Sequence, residues 1–176
     1  MQNLNKLKIE LMDTKNMTER LKSIVIPSCS YHDPTITLKF PYLKSDSETK
    51  FISITNHKGT DIEIWADEVG YLYEVNLLIY KEIAFINDIV ISNIEIGIPC
   101  FNYGQIEFAS KSINFECKNL KISTTSKDLV IQFCRCSLQE IRWIGYDKMY
   151  YGVNVNNILT SIIYKDYGCK DLVIKA

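Results

Sequence analysis

The sequence predicts a mainly β protein on three observations: the apolar residues it favours, their strict alternation with polar ones, and the turn residues between the runs. Hydrophobic residues make up 47% of the 176 positions, an ordinary share for a globular chain. Ile, Val, Phe and Tyr dominate that share while Ala is scarce, and such side chains suit a pleated surface better than a helix. A chain of this length buries roughly 70% of its unfolded surface in one domain. No linker or low-complexity tract divides it, so residues 1–176 are expected to form a single β-rich domain.

The elements follow in order. Residues 7–11 alternate apolar and polar, as do 36–40 and 62–64. His57-Lys58-Gly59-Thr60 predicts a hairpin turn between strands at 51–55 and 61–66. Asp67-Glu68-Val69-Gly70 closes the second of these and opens a third strand over 71–80. Further strands are predicted at 83–86, 89–98, 105–109, 113–122, 129–134 and 138–144. This spacing predicts an antiparallel meander forming a sandwich or partly closed barrel. The I-x-I and I-x-F pairs raise a β-solenoid as the alternative, although their spacing holds no fixed period.

Two short helices are also predicted. Met17, Leu21 and Ile24 lie at helical spacing behind Asp13 or Asn16. Ile158, Leu159, Ile162 and Ile163 share one helical face, although their β-branched side chains equally suit a strand.

The N-terminus lacks the continuous apolar core of a signal peptide, and no stretch reaches the ~20 apolar residues of a membrane span. A soluble, cytoplasmic protein is expected. The six cysteines (Cys29, Cys100, Cys117, Cys134, Cys136 and Cys169) are accordingly expected to be buried free thiols.

Catalytic signals are sparse. The two histidines, His32 and His57, stand beside loop residues, where exposed histidines are common. With Lys58 they form the one acid–base set able to cleave RNA, one histidine taking the 2′-hydroxyl proton and the other protonating the leaving oxygen. Cys29 is near His32 and Asp33 in sequence only. Cys134-Arg135-Cys136 places two thiols on one face of a predicted strand, but the second pair that a zinc site needs is missing, and core packing is the plainer reading. No phosphate-binding, dinucleotide or hydrolase motif occurs, so no cofactor or metal is implied. With 20 basic and 21 acidic residues the chain also lacks the basic footprint of a nucleic-acid binder. Tyr146, Tyr150 and Tyr151 near Arg142 and Lys148 offer stacking platforms, but half-buried strand residues explain them equally well.

Charge is unevenly placed. Residues 61–110 hold nine acids (Asp61, Glu63, Asp67, Glu68, Glu74, Glu82, Asp88, Glu95 and Glu107) against Lys81 alone, a net −8. The flanks carry +3 over residues 1–60 and +4 over 111–176. Consecutive strands of a meander are neighbours, so this stretch is expected to gather into one acidic surface. Alternation puts Asp61, Glu63 and Trp65 on one face, with Ile62, Ile64 and Ala66 on the other. An aromatic amid carboxylates suits a basic protein partner, because the ring supplies buried area and the charge steers encounter.

The run from Phe51-Ile-Ser-Ile-Thr through Asp61-Ile-Glu-Ile-Trp65-Ala-Asp-Glu68, followed by alternating Ile and Phe as far as Trp143, resembles the immunity proteins of bacterial toxin systems, contact-dependent inhibition included. The resemblance implies a non-enzymatic cytosolic protein that neutralises a toxin, such as a basic nuclease, by occluding its active or substrate-binding surface. Asp61, Glu63, Trp65, Asp67 and Glu68 are the expected partner-binding residues. The alternatives are a small RNA-cleaving enzyme using His32 and His57, and a ligand- or carbohydrate-binding β module whose tyrosines line a groove.

Overall fold

Isoleucines two residues apart share one face of a strand, and that rule builds the first of two sheets. The computed structural model describes residues 2–3, 9–11, 28–32, 35–39, 50–56, 61–67, 70–78, 83–97, 99–101, 112–138 and 141–166. In its first half the strands are β1 (Gln2–Asn3), β2 (Ile9–Leu11), β3 (Ser28–His32), β4 (Thr35–Lys39), β5 (Lys50–Thr55), β6 (Asp61–Ala66) and β7 (Leu72–Leu78). There follow β8 (Ala84–Phe85), β9 (Ile94–Ile96), β10 (Pro99–Phe101), β11 (Ser112–Glu116) and β12 (Lys121–Thr124). The last are β13 (Leu129–Gln132), β14 (Arg142–Tyr146), β15 (Met149–Val153) and β16 (Leu159–Tyr164).

The first sheet runs β1-β11-β5-β6-β7-β4-β3 and the second β8-β12-β13-β16-β15-β14-β9, while β2 and β10 pair separately. The architecture is mainly β and sandwich-like, as the alternation predicts. It is not a pure meander. The contacts β1–β11, β11–β5, β8–β12 and β9–β14 are parallel, because the chain visits the second sheet's edges before returning to the first. Nor is it a solenoid, since antiparallel pairing joins β12 to β13, β13 to β16 and β16 to β15.

Two rows of apolar side chains cross the inner face of the first sheet. One reads Ile113, Ile52, Ile64, Val75, Leu38, and the other Phe115, Ile54, Ile62, Leu77, Ile36. All are buried. They pack in one core with Leu129, Ile131, Ile144, Met149, Tyr151, Val153, Leu159 and Ile162 of the second sheet. Burying a Leu, Ile or Phe contributes about 1.5–3 kcal/mol, so these facing rows dominate the folding energy.

The second sheet is covered on its outer face as well. Val130, Ile141, Trp143 and Ile163 form a second cluster beneath Ile86, Ile89, Ile91 and Leu138. Glycine is required there. A Cβ on Gly152 would lie 2.7 Å from Ile141 Cγ2 and 3.0 Å from Trp143 Cζ3.

Several expectations are corrected. The segment predicted as a second helix is β16. A bulge sets Leu159 opposite Val153 but Ser161 opposite Gly152, leaving Thr160 as the extra residue. The bulge shifts the phase of alternation, so Leu159 and Ile162 reach the same core at a spacing that imitates a helix. The strand predicted over 113–122 is two strands, β11 and β12, in different sheets with a turn at Lys118-Asn119 between them. Of the strand predicted over 89–98, only Ile94–Ile96 is extended in a ladder, because 89 and 91 turn inward as the lid of the second cluster. The helix predicted at Met17–Ile24, the turn at 57–60 and the strand at 105–109 lie outside the described residues. No helix among the described residues is long and apolar enough to cross a membrane.

Candidate partner-binding face

Strand β6 sits between β5 and β7, and its register defines the first sheet's outer face. One outward row is Ser112, Phe51, Trp65, Glu74; the next is Asn114, Ser53, Glu63, Asn76; the third is Glu116, Thr55, Asp61, Leu78. Ile62, Ile64 and Ala66 point the other way and are fully buried. The predicted division of β6 therefore holds, with Asp61, Glu63 and Trp65 together on the outer face and half-buried.

Trp65 is not alone there. Its ring stacks on Phe51 with centroids 5.0 Å apart and planes 24° from parallel. Such a pair is worth about 0.5–1.5 kcal/mol beyond its area and holds the indole in place. The indole Nε1 donates to Glu63 Oε2 at 3.4 Å. Glu74, directly across from Trp65, accepts from Asn76 Nδ2 at 2.8 Å. The outcome is a rigid aromatic pair flanked by Glu63 and Glu74, with Asp61 on the row beyond.

Asp67 serves a different purpose from the one its sequence position suggests. It is 4% exposed, and its Oδ1 accepts from the backbone N–H groups of Gly70 and Tyr71, each at 2.9 Å. It caps the turn that leads from β6 to β7, where Gly70 has φ 111°. Its carboxylate is thus turned into the chain, and it leaves the set of partner-facing residues. Glu68 lies outside the described residues.

The acidic stretch does not gather into one surface. Asp61, Glu63 and Glu74 share the first sheet's outer face. Asp88 belongs to the cover of the second sheet, where its Oδ1 accepts from Ser126 N at 3.1 Å and Ser126 Oγ at 2.6 Å. Those bonds hold the Asp88 carboxyl below the usual aspartate range. Glu95, on β9, pairs with Arg142 at 3.0 Å. Glu82 and Glu107 lie outside the described residues.

The competing site residues are scattered or beyond description. His32 is in β3 in register with Thr35, while His57 and Lys58 lie outside the described residues. The tyrosine platform is not assembled. Tyr151 is fully buried in the main core, whereas Tyr150 is on the opposite face and donates its hydroxyl to the Asp147 carbonyl at 2.6 Å. Arg142 is engaged by Glu95 and by Asn157 Oδ1, the latter at 2.6 Å.

Phe51 and Glu74 are residues that sequence reasoning passed over. The signal for Phe51 was present: in a 51–55/61–66 hairpin that sets 55 opposite 61, its partner is Trp65. Glu74 required the register of β7, which the bulge between Trp65 and Ala66 sets.

The cysteines also depart from expectation. Cys134 and Cys136 are joined in a disulfide, in the bend that follows β13 rather than within a strand. Both are half-buried, with Cys136 packed against the second cluster. Cys117 is a free buried thiol, as expected; burial pushes it up, and its Sγ lies 3.0 Å from the Phe133 carbonyl. Cys100 is free and half-buried.

No protein-family model matches this chain, and no curated protein matches it.

Proposed function

We propose that this is a binding protein that captures a basic protein surface on the outer face of its first sheet, through Trp65 and Phe51 as apolar anchor and Asp61, Glu63 and Glu74 as the steering charge. The observation that carries this reading is the Phe51–Trp65 stack set among carboxylates on a face that β6 presents outward. An aromatic pair held in place beforehand loses little entropy on docking, and carboxylates around it raise the encounter rate with a cationic partner. Toxin neutralisation is the form of this function that the resemblance of the 51–68 region favours. In it the face covers the basic substrate channel of a toxin domain, and no chemistry is asked of the chain.

The test is protection and association. If a toxin domain is encoded beside this gene, cells producing it should survive when the wild-type chain is co-expressed and should die with the Asp61→Lys/Glu63→Lys variant. With purified proteins the double reversal should slow association by about tenfold or more at low salt and flatten its salt dependence. A double variant that protects as well as the wild type, with an unchanged association rate, would overturn the assignment of this face. Failure of the wild-type chain to protect against any such domain would overturn the toxin reading.

A further inference from the structure

The corner where the chain passes from the first sheet to the second carries a groove unrelated to the aromatic face. Cys117 N donates to the Thr55 carbonyl at 2.8 Å and Asn56 Nδ2 to the Leu120 carbonyl at 3.4 Å, fixing the β11–β12 turn against the end of β5. Between that turn and the bend after β13 lies a cavity of about 380 Å³, within the range of small-molecule sites. Lys118, Lys121 and Arg135 line it, with the amides of Asn56, Asn119 and Gln132 and the Cys134–Cys136 disulfide. No carboxylate is among these lining residues, and the three cations make no ion pair among the described residues.

The disulfide is a poor structural staple. It spans a single intervening residue, and the entropy gained by closing a loop shrinks as the loop shortens. Its surroundings are instead those of a reactive pair: both cysteines are half-buried at the groove, three positive side chains line the same groove, and Cys136 N–H donates to Cys134 Sγ at 3.4 Å.

We infer that this groove is a thiol–disulfide exchange site for a small, carboxylate-bearing thiol of about tripeptide size. The cations and amides would hold the carboxylates of the incoming molecule, whose thiolate attacks Cys136 Sγ. The Cys134–Cys136 bond breaks and its electron pair leaves on Cys134 Sγ, where the Cys136 N–H and the neighbouring cations stabilise the new thiolate. A second thiolate of the same kind attacks the external sulfur of the mixed disulfide and expels Cys136 as thiolate. Both protein thiolates take up protons. The protein disulfide has then gained two electrons, and two external thiols have become one external disulfide. The reverse sequence reoxidises the pair.

Glutathione, which carries carboxylates, and 2-mercaptoethanol, which is neutral, are the probes, with alkylation and mass spectrometry locating the free thiols. Glutathione should open the Cys134–Cys136 bond, and Lys118→Glu/Lys121→Glu/Arg135→Glu should slow that reaction on the order of tenfold more than it slows the neutral thiol, which shares the leaving thiolate but has no carboxylate to hold. Incubated with oxidised glutathione, Cys134→Ser should retain one glutathionyl group on Cys136, because the resolving thiolate is gone. Two results would overturn the proposal. One is equal slowing, or no slowing, of both thiols by the triple reversal of these exposed residues. The other is full alkylation of Cys134 and Cys136 in the air-oxidised protein without any reductant.

Discussion

The two sheets of this sandwich are built from similar residues but differ in what covers them. The first has a dry inner face and an outer face on which Phe51, Ser53, Asp61, Glu63, Trp65, Glu74 and Asn76 are only half-buried. The second is dry on both sides along its central strands. Every residue of its central β16 is buried, and the 83–93 segment closes the side away from the main core. Three carboxylates around it are engaged within the chain: Asp88 with Ser126, Glu95 with Arg142, and Asp128 with Lys165 at 2.7 Å. A sheet covered twice offers no flat face for recognition, whereas among the described residues the first sheet's outer face keeps these side chains half-exposed. That contrast, more than the local charge count, picks out the Trp65 face.

The contrast breaks most visibly at small residues. Gly152→Val drives a side chain into Ile141 and Trp143 and should cost about 2–3 kcal/mol in denaturant unfolding. Ser53→Val, at an outward position of the first sheet between Asn114 and Glu63, should stay within about 0.5 kcal/mol of wild type. Equal costs would mean that the two faces are equally covered.

Asp67 sharpens the boundary of the candidate face. Asp67→Ala removes the carboxylate that accepts from the Gly70 and Tyr71 N–H groups and should lower stability by about 1–3 kcal/mol, whereas Asp67→Asn, which keeps an acceptor, should lose less. Neither should alter the rate of partner association at a temperature where the variant is folded. A rate that falls with Asp67→Asn would return this residue to the interface.

The smallest effect concerns Asp88. Its carboxyl is held below the usual range chiefly by the Ser126 hydroxyl and the Ser126 N–H. A depressed folded-state value adds stability at pH above the ordinary aspartate range and loses it as pH falls through the folded value. Ser126→Ala should therefore raise the Asp88 midpoint in a carboxyl NMR titration and shrink the acid-dependent part of stability, with no change at pH below both values. An unmoved midpoint would mean that the hydroxyl is not the cause.

The same contrast explains what the sequence disclosed. A sheet wet on one face writes its pattern as alternation, so β4, β5 and β6 were legible within a residue or so, along with the two sides of β6. A sheet dry on both faces writes apolar runs without a period. Leu129-Val130-Ile131 still read as a strand, but Leu159–Tyr164 with its bulge read equally as helix or strand. The break inside 113–122 was hidden because Cys117 and Leu120 are buried in the turn, continuing the apolar pattern across a change of sheet. For the candidate face, Asp61, Glu63 and Trp65 were legible from alternation alone. The inward role of Asp67 was not, because a carboxylate capping a turn has the same sequence signature as one facing solvent. The Cys134–Cys136 bond was hidden by a cellular-compartment argument, which does not bear on two thiols a single residue apart.

The two tryptophans make the central claim directly measurable, because Trp143 is fully buried in the second sheet and Trp65 half-buried on the first. In a Trp143→Phe background, fluorescence reports Trp65 alone. At low ionic strength caesium should quench it more strongly than iodide, since cations accumulate around Asp61, Glu63 and Glu74. The difference should collapse in high salt, and the basic partner should abolish quenching by both ions. Equal quenching by the two ions, or a Trp65 still open to them in the complex, would contradict an acidic partner-binding face on the first sheet.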